Sequence, residues 1–390
     1  EVIKAVEGLM HPTSRRPNVR YRYFHRRYYK FPSYLRRSAI MDAVGQVRSF
    51  QTRYAEWQES PRGNNPPALT CRANTFPSLY KGECIRFSED MKSAFIKVHH
   101  RSDWIWMNFR LSGSLRYRGR GNSLSPLLTM KGNRWSLSLP EEFEPDKGSS
   151  KQSPDRVLAV DVGINTAATW AVVDAQGTVH DRGFLRRSDK DREYRLMQRI
   201  RKAARKQTRH GSKLPKGFCA QDHRRLKQLA DNQAHQISRR LVDQALTSDC
   251  QAIVVEQLKG WRPSAGRRRS PMKAKFHRWF HRMLIDRVES KVKELGLRFV
   301  AVYARGTSSQ AFDGSGPVRR DSQNYSLCTF ASGKRYHADL NAAYNIAARG
   351  LVYFQGSRRK SATRATQQKT GRTPGNPVTL STLWDFPKTA

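Results

Sequence analysis

Three acidic residues stand in the settings of active-site carboxylates. Asp161 and Glu256 each end a short apolar run, residues 157–160 and 252–255, and Asp339 opens a helix-like segment. Apolar runs of this length predict buried strands, and in an open α/β sheet the carboxyl ends of the strands border one crevice. Carboxylate oxygens suit Mg²⁺, and two such ions can activate a water and stabilise a leaving oxygen. The three residues therefore predict metal-dependent phosphodiester hydrolysis.

Each carboxylate alone has a simpler explanation. An Asp after a strand is commonly a turn former, and Asp339 could equally cap the N-terminus of its own helix. Gly163, two residues after Asp161, permits either the close approach of a phosphate backbone or only a tight turn. The evidence for a metal site comes from the order of all three residues together with the sequence pattern around each one.

The composition points to a polyanionic partner. The chain has 390 residues, with 73 Lys and Arg against 32 Asp and Glu, giving a formal charge of +41. Nucleic acid is the expected partner for such an excess, with an anionic membrane surface as the rival. No run of transmembrane length and no leader pattern is expected. Five cysteines without a Cys-x-x-Cys pair favour free thiols in a reducing compartment.

Apolar periodicity divides the chain into two halves. Residues 33–69 open with helical spacing and are predicted to form a helical insertion. This insertion interrupts a small β-barrel or sandwich predicted from residues 1–32 and 70–140, where aromatic and β-branched residues are frequent. Residues 141–154 are acidic and contain Pro, Gly and Ser, which predicts a linker.

After the linker the pattern becomes α/β, with five strands and four helices expected. Residues 155–304 and 337–350 are predicted to form this domain, interrupted by an insert at 305–336. Residues 351–390 are polar and basic without a clear period, and they are predicted to form a basic tail that is mobile at least in part.

Three local motifs carry a resemblance to a known family. They read Val-Asp-x-Gly-x-Asn at Asp161, Ile-Val-Val-Glu at Glu256 and Ala-Asp-x-Asn-Ala-Ala-x-Asn-Ile at Asp339. They resemble the three split RuvC motifs of the TnpB family of transposon-encoded RNA-guided nucleases and of the compact type V CRISPR effectors. Thr307-Ser308-Ser309-Gln310 also resembles the Thr-Ser-Gln that precedes the zinc-binding insert of that family.

The resemblance implies an α/β RNase H-like (RuvC) nuclease domain and an N-terminal wedge β-barrel with a helical recognition insertion. It implies an RNA-guided DNA endonuclease that binds a guide RNA and a target DNA beside a short flanking motif. Asp161, Glu256 and Asp339 would then be ligands for two Mg²⁺ ions, with Mn²⁺ as an alternative. The expected location is the prokaryotic cytoplasm, with the nucleoid. The sequence does not choose between a monomer and a dimer, or between a transposon and a CRISPR context.

Two other readings stay open at this point. One is an RNA-guided DNA-binding protein or repressor that does not cut. The other is a guide-independent transposase or junction resolvase with the same RNase H-like fold. The presence of all three carboxylates favours cutting over the first, and RNA that copurifies with the protein would separate the leading reading from the second.

The insert at 305–336 departs from the family pattern. The family carries two Cys-x-x-Cys pairs there, whereas here residues 312–316 replace the first pair and Cys328 is the remaining cysteine of the second. Cys328 and His337 supply too few ligands for a closed zinc site, so a degenerate zinc-ribbon-like insert without structural zinc is expected.

Basic and aromatic residues outside the three motifs are candidates for contacts with nucleic acid. One group lies on the predicted first helix of the chain, one lies between the first two helices of the α/β domain, and one lies in a cluster before the third helix of that domain. These candidates are Tyr34, Arg36, Arg37, Arg48, Arg201, Lys202, Arg205, Lys206 and Arg268. For the first group the simpler reading is the solvated side of an amphipathic helix.

Overall fold

A computed structural model describes residues 27–59, 65–70, 76–115, 121–144, 153–164, 166–209, 211–257, 281–360 and 378–384. The chain divides into two compact units, Glu1–Glu144 and Pro145–Ala390. In the part of the chain that the structure describes, no helix has the length and apolar character needed to cross a membrane.

The N-terminal unit combines one long helix with short antiparallel strands. Helix α1 spans Ser33–Glu59, and strands β1 (Ile85–Phe87), β2 (Ser93–His100) and β3 (Asp103–Arg110) form a sheet in that order. Strand β4 (Asn122–Ser123) pairs with β7 (Glu141–Glu142), and β5 (Leu127–Lys131) pairs with β6 (Arg134–Ser138). Gly132, at a φ of 62°, takes the first position of the two-residue turn between β5 and β6, as hairpin turns require.

The β-barrel expected for this unit stays a prediction, because the described strands represent only part of it. The described strands form one three-stranded sheet and two separate pairs. Two of the strands, β4 and β7, have only two residues each, which is too short to continue a barrel wall. Barrel strands expected within residues 1–26 lie outside the described residues.

The C-terminal unit is built on a five-stranded mixed sheet, as the α/β pattern predicts. Its strands are β8 (Arg156–Asp161), β9 (Ala168–Asp174), β10 (Val179–Leu185), β11 (Ala252–Gln257) and β12 (Arg298–Tyr303). The order is β10-β9-β8-β11-β12, with β8 antiparallel to β9 and parallel to β11. The continuous apolar runs of β8 and β11 are buried on both faces, which is typical of strands covered by helices on each side.

Helices cover both faces of this sheet. Helices α2 (Lys190–Thr208), α3 (Ala220–Thr247) and α4 (His281–Glu294) follow in chain order, and α3 and α4 pack on the face that carries Leu158 and Val160. The opposite face, with Val157 and Ala159, is covered by α5 (Ala338–Lys360) and by the short helix α6 (Ser381–Trp384). Three small strands complete the unit, β13 (Arg319–Arg320), β14 (Leu327–Thr329) and β15 (Arg335–His337).

Parts of the expected basic tail belong to the folded C-terminal unit. Helix α5 continues past Gly350 to Lys360 instead of ending near residue 349. Gly350 is buried, and a Cβ added there would lie 2.4 Å from a methyl of Val254, so the glycine serves close packing rather than helix termination. Residues 378–384 also dock in the core, where Leu380 and Leu383 are each 2% exposed.

Candidate metal and phosphodiester site

Two of the three carboxylates lie side by side at one edge of the sheet. Parallel strands β8 and β11 pair Val160 with Val255, so Asp161 and Glu256 are the next residues along each strand. Neighbouring strands are about 4.8 Å apart, and side chains alternate between faces. Asp161 and Glu256 therefore share the face that α5 covers, because Val157 and Ala159 lie on that face.

Asp339 reaches the same edge from the first turn of α5. Leu340, Ala343 and Tyr344 pack that end of the helix against the sheet. The backbone N–H of Asp339 donates to Nδ1 of His337 at 3.3 Å. The sheet and the helix thus bring together residues that are far apart in the chain.

The electrostatics of Asp161 show this convergence. Burial raises the pKa of the Asp161 carboxyl well above its usual range, and the nearby carboxylates of Glu256 and Asp339 raise it further. The guanidinium of Arg320 acts in the opposite direction. Burial likewise raises the pKa of Glu256, against the lowering effects of the Thr307 hydroxyl and of Arg349. Converging, desolvated carboxylates of this kind cluster at functional sites.

The donor set fits hard divalent cations. Three carboxylates held together repel one another, and a bound cation would relieve that repulsion. Among the described residues, no three His, Cys, Asp or Glu side chains are grouped tightly enough to hold one metal ion together. A pair of ions does not need such a group, because Mg²⁺ can be held by one or two carboxylates and keep several waters.

A loop after β12 contacts the carboxylate of Glu256 at this edge. Thr307 is 1% exposed, and its hydroxyl donates to Oε1 of Glu256. Asn345 donates to the carbonyls of Thr307 and Gln310 at 2.9 and 2.8 Å, and Asn341 donates to that of Gln310 at 2.8 Å. Both asparagines belong to the third sequence motif, and their i, i+4 spacing on a helix indicates that they share one face.

The insert folds around aromatic side chains. Ala311, Cys328, Phe330 and Ala338 form a small buried cluster. The Phe312 ring contacts those of Phe330, Tyr336 and Tyr344 edge-on, with centroids 5.1–5.5 Å apart. The Cys328 thiol lies 3.5 Å from the carbonyl of Tyr336, and the His337 ring packs on that of Phe184 at 4.6 Å.

Arg320 is a site residue that the sequence reasoning missed. It lies on β13 of the insert, and its Nη1 donates to the carbonyl of Tyr325 at 3.1 Å. Its charge reaches both Asp161 and Cys328. One more arginine in a chain this basic carries no local signal, so only the fold of the insert identifies it.

The nucleic-acid candidates lie on both units. On α2 the buried residues Leu196 and Ile200 face inward, while Arg201, Lys202, Arg205 and Lys206 are exposed. In the N-terminal unit Arg48 is exposed, whereas Tyr34 is half-buried with its ring 5.3 Å from that of Tyr80. Half-buried Arg36 donates to the Tyr28 carbonyl at 3.0 Å, and half-buried Arg37 lies over the Tyr34 ring at 5.7 Å. Arg268 lies outside the described residues.

Two family models match parts of this chain. One is described as the Cas12f1-like TNB domain and matches residues 281–346, which include the whole insert. The other is described as the Aq_aa04 family and matches residues 1–100.

Known proteins extend the comparison. The CRISPR-associated endodeoxyribonuclease Cas12f1 of Syntrophomonas palmitatica is 23% identical over 186 residues, which are 45% of this chain and 35% of that protein. The chain therefore spans about a third of the length of this relative. A solved Cas12f1–sgRNA–target DNA complex is similar in fold, with a TM-score of 0.51 at 14% identity, covering 78% of this chain and 70% of that one. The resemblance to compact type V CRISPR effectors is confirmed.

Proposed function

We propose that this protein is an RNA-guided DNA endonuclease that cuts at the edge formed by Asp161, Glu256 and Asp339. The observation that carries the proposal is that β8, β11 and the first turn of α5 bring three carboxylates to one edge of the sheet. The two neighbouring carboxylates raise the pKa of Asp161. The sequence similarity to an endodeoxyribonuclease named Cas12f1 supports the same activity. The partners we propose are a guide RNA and a target DNA, in the prokaryotic cytoplasm.

Asp161, Glu256 and Asp339 would hold two Mg²⁺ ions, or Mn²⁺, in an RNase H-like RuvC site. When bound, such ions activate a water and stabilise the leaving oxygen of a phosphodiester. We propose Asp161 as the central ligand, because the carboxylates of Glu256 and Asp339 both raise its pKa. We propose that the insert is held by its aromatic cluster rather than by zinc.

Arg320 has a separate task in this proposal. The site carries three carboxylates, which repel the phosphate of a nucleic acid. A guanidinium beside Asp161 can bind a phosphate oxygen through two N–H groups and offset that repulsion. The exposed cations of α2 and the net charge of +41 would hold the nucleic-acid backbone, so binding should weaken steeply with salt.

The test begins with RNA recovered with the 390-residue protein. That RNA is sequenced, and matching duplex DNA with a randomised flank is supplied with Mg²⁺. The wild-type protein should cut, and Asp161→Ala should keep its RNA and lose cutting by at least about 10³-fold, as expected on removing a group central to the chemistry. Asp243→Asn, at an exposed carboxylate paired with Arg239 on α3, is the matched control and should cut normally.

Each contrary outcome points to a different function. Undiminished cutting by Asp161→Ala would refute the site. Binding of RNA and matching DNA without cutting by the wild-type protein would indicate an RNA-guided binder or repressor. Cutting that survives complete removal of the RNA would indicate a guide-independent nuclease.

A further inference from the structure

The side chain of Thr307 lies in direct contact with Glu256. Thr307 follows β12 and is almost completely buried, at 1% exposure. Its hydroxyl donates to Oε1 of Glu256 and also lies 2.8 Å from the carbonyl of Ala304. A threonine hydroxyl has one hydrogen, so it can donate fully to only one of these two acceptors at a time.

Helix α5 fixes the loop that carries Thr307. Asn345 is fully buried, donates to the carbonyls of Thr307 and Gln310, and accepts the N–H of Leu380 at 3.3 Å. Both amide hydrogens and the amide oxygen are therefore used. A buried amide with every partner in place holds its neighbours in one arrangement, because breaking any bond leaves a desolvated polar group.

Arg349 adds a second clamp one turn further along α5. Its Nη1 donates to the carbonyls of Tyr303 at 2.6 Å and Arg305 at 2.9 Å. Its charge also acts on Glu256. The end of β12 and the start of the insert are thus held at residues 303, 305, 307 and 310 by one face of a single helix.

We propose that Thr307 is a positioning residue that orients the Glu256 carboxylate for a divalent cation. This inference rests on the proposed function, because it takes Glu256 to be a metal ligand. A glutamate side chain has several rotamers, and ordering it costs free energy when a metal binds. Thr307 occupies Oε1 and so leaves Oε2 to face the ion in one fixed orientation. Outer partners of this kind commonly set metal affinity.

The test measures Mn²⁺ binding to the 390-residue protein by electron paramagnetic resonance. Thr307→Val keeps the shape of the side chain and removes the donor. It should lower the Mn²⁺ affinity by about 10- to 100-fold at the same sites that Asp161→Ala abolishes. Thr307→Ser restores the hydroxyl and should bind nearly as the wild type does. Thr307→Ala, which is smaller and introduces no new contact, should weaken binding as Thr307→Val does and serves if the valine variant does not fold.

Gln233→Leu is the matched control. Gln233 is a buried amide, 1% exposed, that donates to Oγ of Ser188 at 2.7 Å and to Oδ2 of Asp189 at 2.8 Å. It lies on α3, which covers the other face of the sheet, so its loss removes a buried polar contact without touching Glu256. Mn²⁺ binding by this variant should match the wild type.

Two results would overturn the inference. Thr307→Val that binds Mn²⁺ as the wild type does shows that the hydroxyl does not orient Glu256. Thr307→Ser that is as weak as Thr307→Val shows that packing, not the hydroxyl, is responsible. Both are distinct from failure of the proposed function, in which Asp161→Ala and Glu256→Gln would themselves leave Mn²⁺ binding unchanged.

Discussion

Helix α5 lies close against the sheet at Gly350, and replacing this glycine should destabilise the C-terminal unit. A Cβ at Gly350 would lie 2.4 and 2.7 Å from the two methyl groups of Val254. Carbon atoms attract best at about 3.5–4.0 Å, so both contacts fall roughly 1 Å inside that range. Val254 is fully buried on a central strand, and its β-branched side chain has few other rotamers.

The size of the effect follows from two opposing contributions. Overpacking a well-filled core costs about 1–3 kcal/mol, and two methyl contacts on a central strand favour the upper half of that range. Alanine in place of glycine within a helix gains up to about 1 kcal/mol. The net expectation for Gly350→Ala is a loss of about 1–2 kcal/mol in the free energy of unfolding.

Urea denaturation of the full chain measures this loss, with Gly45→Ala as the control. Gly45 lies inside α1, and nothing lies within 4 Å of the position of its added Cβ. The same substitution there should leave the N-terminal unit as stable or slightly more stable. Adding Val254→Ala to Gly350→Ala should recover part of the loss in a double-mutant cycle. A Gly350→Ala protein as stable as the wild type would refute the steric argument.

Two further predictions concern the core. Leu380→Ala should leave a cavity and destabilise the C-terminal unit by about 2–5 kcal/mol, as measured by urea denaturation. The control is Leu214→Ala, at a residue that is 45% exposed. Equal effects of the two substitutions would show that residues 378–384 are not part of the core. Burial raises the pKa of Cys250 from 9.0 to about 12, so its contribution to stability is complete below pH 9.0 and is lost as the pH rises toward 12. Cys250→Ala should therefore flatten the fall in unfolding free energy across that range, and an unchanged pH dependence in this variant would contradict the reasoning.

The α/β sheet could be predicted because its signal is local. The runs that form β8 and β11 are apolar throughout, bounded by polar residues, and of strand length. Asp161 and Glu256 stand out because each breaks such a run at its end. Their adjacency depends on the pairing of Val160 with Val255, which the order of the motifs suggests but only the sheet topology shows.

Other features could not be read from the sequence because they depend on contacts between distant residues. Gly350 resembles a helix C-terminal signal, yet α5 continues through it, and glycine stands there because Val254 lies too close for a larger side chain. Helix α6 has four residues and no stable conformation of its own, so packing of Leu380 and Leu383 and tertiary hydrogen bonds such as that from the Leu380 N–H to Asn345 define it. Arg320 lies on a two-residue strand whose position is set by pairing with β14.

Helix α5 joins the core and the candidate site in one rigid element. Asp339 is in its first turn, Asn345 holds the Thr307 loop, and Gly350 fixes the depth at which the helix lies on the sheet. Eleven residues of α-helix span about 16 Å, so a displacement at Gly350 is carried to Asp339 as a shift or tilt of the whole helix. A variant at Gly350 should therefore impair metal binding even under conditions where it remains folded, whereas Leu380→Ala should impair it only as far as it unfolds the unit. Comparing the two at equal stability would separate the placement of α5 from the stability that the core provides.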